Sequence, residues 1–234
     1  MDNKSTITVI TPTTGRNSLK NLMETIISQN INIRINHLIL WDNFRNGEID
    51  PKHNLFVGMS PNYKPTNIVI DDNFVNGEAK GSSLRAVGLM LANTEYVTFS
   101  DDDVMWEKNH ISTMLEAIKD KNWCYCRRKI WTELEDNSYE YLGVDEFESV
   151  GEEAKTPYKM VDNNCMMFKR RYGVSASPLY RETLEYNDDR LFYNFMKQYA
   201  GEAGKTTLPT INQVCPSKLV DFFRAGCTKT NLEE

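Results

Sequence analysis

The first half of the chain alternates short apolar runs with stretches of helical period. Residues 5–11 form an apolar and β-branched run, which predicts a strand covered on both faces. The apolar positions that follow repeat every three or four residues, as on one face of a helix; they are Leu19, Leu22, Met23, Ile26 and Ile27. Similar runs and stripes continue to residue 118 in the order β-α-β-β-α-β-α. This order predicts an α/β fold with a mostly parallel sheet, right-handed crossovers and flanking helices.

The second half has a different pattern. Between residues 132 and 156 lie nine acidic residues and one lysine, so we expect a solvated loop or loose hairpin outside the core. The elements predicted around it are a strand at 123–131, a strand at 164–169, a helix at about 190–200, and a short strand after 206 followed by a helix near 219–224. The residues expected to face inward on the 190–200 helix are Leu191, Phe192, Phe195, Met196 and Tyr199.

Three consecutive carboxylates follow a short buried run. Tyr96, Val97 and Phe99 predict a strand, and Asp101, Asp102 and Asp103 come at its carboxyl end. Side chains alternate along a strand, so at least two of the carboxylates can converge on one point. Like charges this close repel unless a cation compensates them, and Mg²⁺ or Mn²⁺ with substrate phosphates is the natural compensator. Ligands bind at this edge of open α/β sheets, which favours a metal–diphosphate site over a solvated acidic turn.

Composition narrows the class of protein. The chain has 234 residues, 40% of them hydrophobic, and a net charge of −6, which argues against general nucleic-acid binding. No apolar run approaches the roughly 18 residues of a transmembrane helix, and the start of the chain has no apolar signal region. Five cysteines without a paired CxxC spacing are typical of reduced thiols, so we expect a cytoplasmic protein. His37, His53 and His110 are too scattered to predict a histidine-based centre.

Other polar residues fall where a nucleotide binds in such a sheet. The loop after the first strand offers hydroxyls, amides and a cation; its residues include Thr11, Pro12, Thr13 and Arg16. Asp42 ends the second strand, where a carboxylate accepts a hydrogen bond from a base imide. Lys80 and Arg85 flank the start of the next helix, within reach of diphosphate oxygens. Each residue alone also fits an ordinary turn, cap or surface role, but all of these positions border one sheet edge.

Four stretches resemble, in chain order, the GT-A glycosyltransferases of family 2. They are ITVITPTTGR with its following amphipathic helix, the strand ending at Asp42, GSSLRAVGLMLANTEYVTFSDDD, and NNCMMFKRR leading to YNDDRLFYNFMK. The resemblance covers roughly residues 5–200. The positions of the third stretch that match the family pattern are Arg85, Gly88, Ala92, Glu95, Tyr96 and Asp101–Asp103. Ala86 departs from it, because the family usually has Asn there.

The resemblance implies a single GT-A domain over residues 1–234. Within it we expect a nucleotide-sugar-binding half (1–106), an acceptor and catalytic half (107–204) and a C-terminal extension (205–234). The implied donor is a nucleotide-sugar, most often a UDP-sugar, bound with Mn²⁺ or Mg²⁺. The acceptor, whether glycan, lipid-linked or protein, and the oligomeric state are not identified by the sequence.

The resemblance also implies roles for the site residues. Asp42 would contact the base in a pocket lined by Thr11 and Pro12, and Asp101 or Asp102 would approach the ribose. The metal would be bound by Asp103, with Asp101 as a second candidate. No histidine follows His110, so a metal would need water, diphosphate or another side chain in place of the C-terminal histidine of some GT-A enzymes.

The family places its catalytic base in a Glu-Asp pair at the start of a helix, and YNDDRL is the candidate here. Either Asp188 occupies the Asp position with Asn187 replacing Glu, or Asp188 and Asp189 form the pair. The base takes the proton of an acceptor hydroxyl as that oxygen attacks the anomeric carbon, and a single displacement inverts the configuration. The same carboxylates would also serve as helix caps.

Two other classes remain open from the sequence. A sugar nucleotidyltransferase would carry a Gly-rich loop after the first strand, whereas PTTGRNS has one glycine. A non-catalytic carbohydrate- or partner-binding protein is compatible with the altered motifs. Within the transferase interpretation, segment 132–156 belongs to the acceptor side, because its carboxylates would repel a diphosphate while Tyr139, Tyr141 and Phe147 suit sugar rings.

Overall fold

A computed structural model gives the fold. It describes residues 6–42, 60–70, 81–145, 160–182 and 188–228. The strands in these residues are β1 (Thr6–Thr13), β2 (Arg34–Asp42), β3 (Tyr63–Ile70), β4 (Tyr96–Phe99), β5 (Val104–Trp106), β6 (Trp123–Glu133), β7 (Tyr139–Asp145), β8 (Met166–Lys169), β9 (Gly204–Val214) and β10 (Cys227–Thr228). The α-helices are α1 (Ser18–Ile27), α2 (Ser82–Leu91), α3 (His110–Ile118), α4 (Arg170–Ala176), α5 (Leu179–Glu182), α6 (Asp188–Phe195) and α7 (Val220–Gly226).

One sheet contains all ten of these strands. Its main path runs β10-β7-β6-β8-β4-β1-β2-β3. The neighbours β3, β2, β1 and β4 pair in parallel, as the β-α-β order of the first half predicts. Beyond β4, the strands β8, β6, β7 and β10 pair antiparallel. The predicted α/β class, with a parallel sheet and a smaller mixed portion, is confirmed.

Strand β9 lies off the main path of the sheet. The 11-residue strand β9 pairs parallel with β6 and antiparallel with β5. The sequence predicted only a short strand after residue 206, and it did not predict β5, which directly follows the three carboxylates. Helix α7 lies close to the predicted 219–224 helix. Within the described residues, no helix is long and apolar enough to cross a membrane.

Close packing ties the first helices and the aromatic core to the carboxyl edge of the sheet. A Cβ on Gly88 would lie 2.4 Å from Ile10 Cγ2, so α2 sits directly on β1. At the end of β4, the Phe99 ring has its centroid 5.7 Å from that of Tyr180 and 5.8 Å from that of Phe192. These contacts bring α5 and α6 beneath the loop that carries Asp101.

The structure corrects two predictions of the second half. A hairpin is present, as one of the two predicted forms, and residues 133–140 at its tip are exposed, but β7 does not lie outside the core: Leu142, Val144 and Asp145 are buried. The remainder of the predicted acidic segment, 146–156, lies outside the described residues. The many acidic residues of this segment obscured the pattern of β7, whose buried side chains pack under α7.

The second correction concerns the inward face of α6 and the π-helical turn that continues it, Met196–Ala200. Phe192 and Met196 are buried as predicted. Leu191 and Tyr199, however, are 38% and 58% exposed. The buried face is instead shifted by about one position, because Tyr193 and Ala200, each 3% exposed, face inward.

A buried histidine links the first three strands. His37 is fully buried, with Nε2 2.8 Å from Thr11 Oγ1 and Nδ1 2.6 Å from the hydroxyl oxygen of Tyr63. Burial lowers the pKa of His37 from 6.5 to about 3. The folded state therefore holds a neutral imidazole over a pH range in which the unfolded state is protonated.

This histidine predicts a pH-dependent stability. The folded pKa lies below the unfolded one, so the stabilisation is complete above about pH 6.5 and is lost as pH falls toward 3. Relative to His37→Gln, which does not titrate, the free energy of unfolding of the wild type should fall by about 1.4 kcal/mol per pH unit in this range. Urea unfolding of both proteins between pH 7 and pH 4.5 measures the difference. Parallel pH profiles would contradict the prediction.

Candidate functional site

A cleft of about 480 Å³ lies at the carboxyl ends of the parallel strands. It is bordered by the β1–α1 loop, the end of β2, the start of α2, the loop after β4 and the residue after Cys215. Its lining residues are Pro12, Thr13, Thr14, Arg16, Asp42, Gly81, Leu84, Asp101, Asp102, Asp103 and Pro216. The strand order places every one of these segments at the same edge, which is where open α/β sheets bind ligands.

Arg16 compensates two of the three consecutive carboxylates. Its Nη1 donates to Asp103 Oδ2 at 3.0 Å, and its Nη2 forms an ion pair with Asp102 Oδ1. Asp102 has no exposed side-chain surface and also accepts a hydrogen bond from the Thr13 hydroxyl. Arg16 itself is 52% exposed, so its guanidinium approaches the carboxylates from the solvent side.

Burial outweighs this compensation at both carboxylates. The pKa of Asp103 is raised to about 6, by burial first and then by Asp101, with Arg16 acting in the opposite direction. The pKa of Asp102 is also raised, again mainly by burial. The cleft therefore holds more negative charge than Arg16 neutralises, which favours the binding of a further cation.

Arg85 compensates the third carboxylate from the protein side. It is 7% exposed, pairs through Nη2 with Asp101 Oδ1, and places Nη1 3.4 Å from Asp188 Oδ2. Ser82 donates a hydrogen bond to the same Asp188 oxygen at 2.6 Å. One buried guanidinium thus joins the loop after β4 to the first turn of α6, two segments far apart in the sequence.

Asp189 lies beside this arrangement. Its pKa is raised well above the ordinary value, by burial first and then by Asp162 and Asp188. Asp188 has its Oδ2 occupied by two donors, whereas Asp189 has no comparable ion pair among the described contacts. Asp188 is therefore engaged in holding Ser82 and Arg85, whereas Asp189 is not.

Asp42 occupies the far end of the cleft. Its Oδ1 is buried and makes no hydrogen bond in the part of the chain that the structure describes. Burial raises its pKa. A buried acceptor without a partner is costly unless a ligand donor supplies the hydrogen bond.

The structure brings together most of the residues predicted from the sequence, with three exceptions. Arg85, predicted to reach diphosphate oxygens, is buried against Asp101 and does not line the cleft. Thr11 is fully buried behind the cleft, where its hydroxyl bonds His37, so it does not line the cleft. Lys80 lies outside the described residues.

Gly81, at φ +85°, allows α2 to approach β1, because a Cβ there would lie 2.9 Å from Pro12 Cβ.

The sequence did not identify Leu84, Pro216 or Asn164 as part of the site. Leu84 and Pro216 line the cleft, although 132 residues separate them. Asn164 donates through Nδ2 to Asp101 Oδ2 at 3.0 Å and accepts the Asp101 backbone N–H at 2.6 Å. Only its place in the stretch NNCMMFKRR gave a signal, and that signal did not specify a contact.

The oxygen ligands of the cleft suit a hard divalent cation in chemical type, since carboxylates and phosphates are the ligands of Mg²⁺ and Mn²⁺. In the described residues, however, no three His, Cys, Asp or Glu side chains are arranged around a common metal position. Arg16 holds Asp102 and Asp103 instead. A metal would therefore replace the Arg16 contact.

Solved structures identify the fold. The chain is similar to residues 1–349 of TarS from S. aureus, with 15% identity, a TM-score of 0.65, and coverage of 89% of this chain and 60% of the other. It is also similar to the same protein in complex with UDP-GlcNAc, at 14% identity, a TM-score of 0.64, and coverage of 91% and 59%. A third similar structure is the complex with UDP, at 14% identity, a TM-score of 0.59, and coverage of 94% and 64%. No family model and no curated protein matches the sequence.

These neighbours show that the chain shares the fold of TarS 1–349, which agrees with the predicted α/β architecture. The chain spans about 60% of the length of TarS 1–349. Membership of family 2 in particular stays a prediction, because likeness at this identity extends to the fold alone.

The buried bridge of Arg85 predicts a large effect on stability. Arg85→Met should lower the free energy of unfolding by about 3 kcal/mol, because it leaves Asp101 and Asp188 close together without a counter-charge. Arg171→Met is the matched control, since Arg171 is exposed and bonds only Asn122 and Tyr172 among the described contacts. Urea denaturation measures both. Equal losses in the two variants would show that the bridge does not stabilise the fold.

Proposed function

We propose that this chain is a metal-dependent glycosyltransferase that moves a sugar from a UDP-sugar to an acceptor hydroxyl with inversion. One observation carries the proposal: a single cleft has, at Asp42, a buried carboxylate oxygen that finds no partner among the described residues, and it has three adjacent carboxylates at Asp101–Asp103. The two ends of the cleft suit the base and the diphosphate of one nucleotide. The UDP and UDP-GlcNAc complexes of the TarS neighbour support this class of donor.

Asp42 would accept a hydrogen bond from the imide N–H of uracil, which supplies the partner that its Oδ1 lacks. Pro12 and Leu84 line the same cleft and offer apolar surface to the base and ribose. The Arg16 side chain is exposed, so its ion pairs cost little to exchange, and its guanidinium would turn from the carboxylates to the diphosphate. Arg16 would then bind the diphosphate, and the carboxylates it leaves would be available to a metal ion.

Asp103 and Asp102 would hold Mn²⁺ or Mg²⁺ together with the diphosphate, because both oxygens of Asp101 are already held, by Arg85 and Asn164. When bound, such an ion stabilises the charge that develops on the leaving diphosphate. The residues contribute by keeping their carboxylates ionised and oriented. Arg16 contributes by covering Asp102 and Asp103 until the donor arrives, which limits repulsion in the ligand-free protein.

Asp189 is the proposed general base. Asp188 is held by Ser82 and Arg85, so it orients the start of α6 and keeps Arg85 in place. Asp189 has no comparable ion pair among the described contacts, so its carboxylate is the one available to take the proton of an acceptor hydroxyl. The acceptor would approach from the side of α6 and the β6–β7 hairpin, where Tyr139 is 55% exposed.

The first functional prediction distinguishes the contribution of the metal to UDP binding from the contribution of the contact between Asp42 and uracil. UDP should bind the wild type more tightly with Mn²⁺ than without it. Asp103→Asn should abolish this difference, whereas Asp42→Ala, which removes the acceptor of the imide N–H, should weaken UDP binding about 10- to 100-fold with or without metal, the value of a hydrogen bond to a charged group. Isothermal titration calorimetry measures UDP binding to the three proteins, each with and without Mn²⁺.

Asp120→Asn is the control for loss of one charge, because Asp120 is exposed on the turn after α3. It should bind UDP as the wild type does. Equal UDP affinity in every variant would contradict the assignment of the cleft. In a parallel assay with UDP-GlcNAc and Mn²⁺, slow release of UDP supports a transferase. Pyrophosphate release from a sugar phosphate and UTP would instead indicate a nucleotidyltransferase, and binding without turnover would indicate a carbohydrate-binding protein.

The second functional prediction concerns the two neighbouring carboxylates. Asp189→Asn should reduce UDP release from UDP-GlcNAc by roughly 10²- to 10⁴-fold, the usual contribution of a general base, while UDP affinity stays unchanged. Asp188→Asn should cost less than about tenfold, because an amide oxygen still accepts from Ser82 and Arg85. The reverse order of effects would make Asp188 the base and Asp189 the structural residue.

A further inference from the structure

A series of buried polar contacts connects the mixed half of the sheet with the cleft. The residue of this series that contacts Asp101 is Asn164, which is 2% exposed. The Asn164 side chain meets Asp101 at two points: Oδ1 accepts the Asp101 N–H at 2.6 Å, and Nδ2 donates to Asp101 Oδ2 at 3.0 Å. Both the backbone and the carboxylate of Asp101 are therefore fixed by one amide.

Asn164 is itself held in place by Asp162. The Asp162 Oδ1 accepts from the Asn164 backbone N–H at 2.8 Å and from Asn164 Nδ2 at 2.9 Å. Asp162 is the N-cap of the short 3₁₀ turn Asn163–Cys165, which contains Asn164. The amide of Asn164 has its acceptor and donor groups directed by the fold, so it has little freedom to rotate.

Asp162 is in turn anchored by Arg128, which is 2% exposed on β6. Arg128 pairs with Asp162 and with Asp145 of β7, the latter at 2.8 Å, and it donates to Gln213 Oε1 of β9 at 2.7 Å. Three strands of the mixed half thus converge on one guanidinium. A buried network in which every partner is satisfied is rigid.

On the other side, Asp101 continues the chain to the candidate catalytic helix. Its Oδ1 pairs with Arg85, and Arg85 reaches Asp188 at the start of α6. The two oxygens of Asp101 are consequently held by different partners, Asn164 and Arg85. The orientation of this carboxylate is set before any ligand binds.

We propose that Asn164 is a positioning residue of the donor site, which fixes Asp101 and, through Arg85, the start of the helix that carries Asp188 and Asp189. Arg128 and Asp162 anchor it to the mixed half of the sheet. The effect on turnover rests on the proposed transferase function, whereas the effect on the geometry of Asp101 does not. Misplacement of a site group by about 1 Å is enough to reduce turnover by up to 10²-fold.

The test compares Asn164→Ala with Asn163→Ala. Asn163 is the adjacent residue in the same turn, is 1% exposed and makes no hydrogen bond to Asp101, so it controls for the removal of a buried amide. The first measurement is amide hydrogen exchange by NMR on the ligand-free proteins. Exchange at the Asp101 N–H should be at least about tenfold faster in Asn164→Ala than in Asn163→Ala, because only the former loses the acceptor of this N–H.

The second measurement is UDP release from UDP-GlcNAc. Asn164→Ala should lower kcat by about 10- to 100-fold with little change in KM, and Asn163→Ala should leave kcat within about threefold of the wild type. If Asn164→Ala does not fold, Asn164→Ser replaces it, since serine keeps a polar group for Asp162 but is too short to bond Asp101 as well.

The outcomes are distinguishable. Equal exchange at Asp101 in the two variants overturns the positioning role, whatever the activity. An inactive wild type with the expected difference in exchange overturns the transferase function and leaves the clamp on Asp101 intact. Equal loss of kcat in both variants, with the exchange difference present, overturns the link from Asp101 to turnover.

Discussion

The site depends on how three adjacent carboxylates at the end of one buried strand are kept together. Asp101, Asp102 and Asp103 cannot all remain ionised in a partly buried loop without cations close by. Two arginines from different segments supply them, Arg85 from within the protein and Arg16 from the solvent side. β1 pairs directly with β4, and the glycine at position 88 lets α2, which carries Arg85, pack closely on β1.

Local patterns in the sequence predicted the parallel half of the sheet well. The predicted first strand corresponds to β1, which is buried from Ile7 onward. On α1, four of the five predicted stripe positions are buried, Leu19, Leu22, Met23 and Ile26. The position of Asp101–Asp103 at a strand end followed from the same logic. In the hairpin of β6 and β7 this reasoning was wrong, because the acidic residues of the turn outnumber the few apolar positions, Leu142 and Val144, that decide its burial.

Contacts between distant segments were not predictable from one sequence. Arg16 and Arg85 were both recognised as cations near a sheet edge, yet their pairing with Asp102, Asp103, Asp101 and Asp188 depends on the strand order. Pro216 reaches the cleft because β9 returns beside β6, a pairing that no periodicity encodes. Asn164 has no charge and no period to distinguish it, although it makes two of the contacts that orient Asp101.

The two arginines also divide the cleft into a fixed and an exchangeable part. Arg85 is 7% exposed and is held between Asp101 and Asp188, so a ligand cannot displace it without exposing two buried carboxylates. Arg16 is 52% exposed, and its contacts cost little to exchange for a diphosphate or a metal. A donor would therefore rebuild the site around Asp102 and Asp103 and leave Asp101 in place. On this view the carboxylate that orients the catalytic helix and the carboxylates that meet the donor are different members of one triplet, separated by which arginine each one holds.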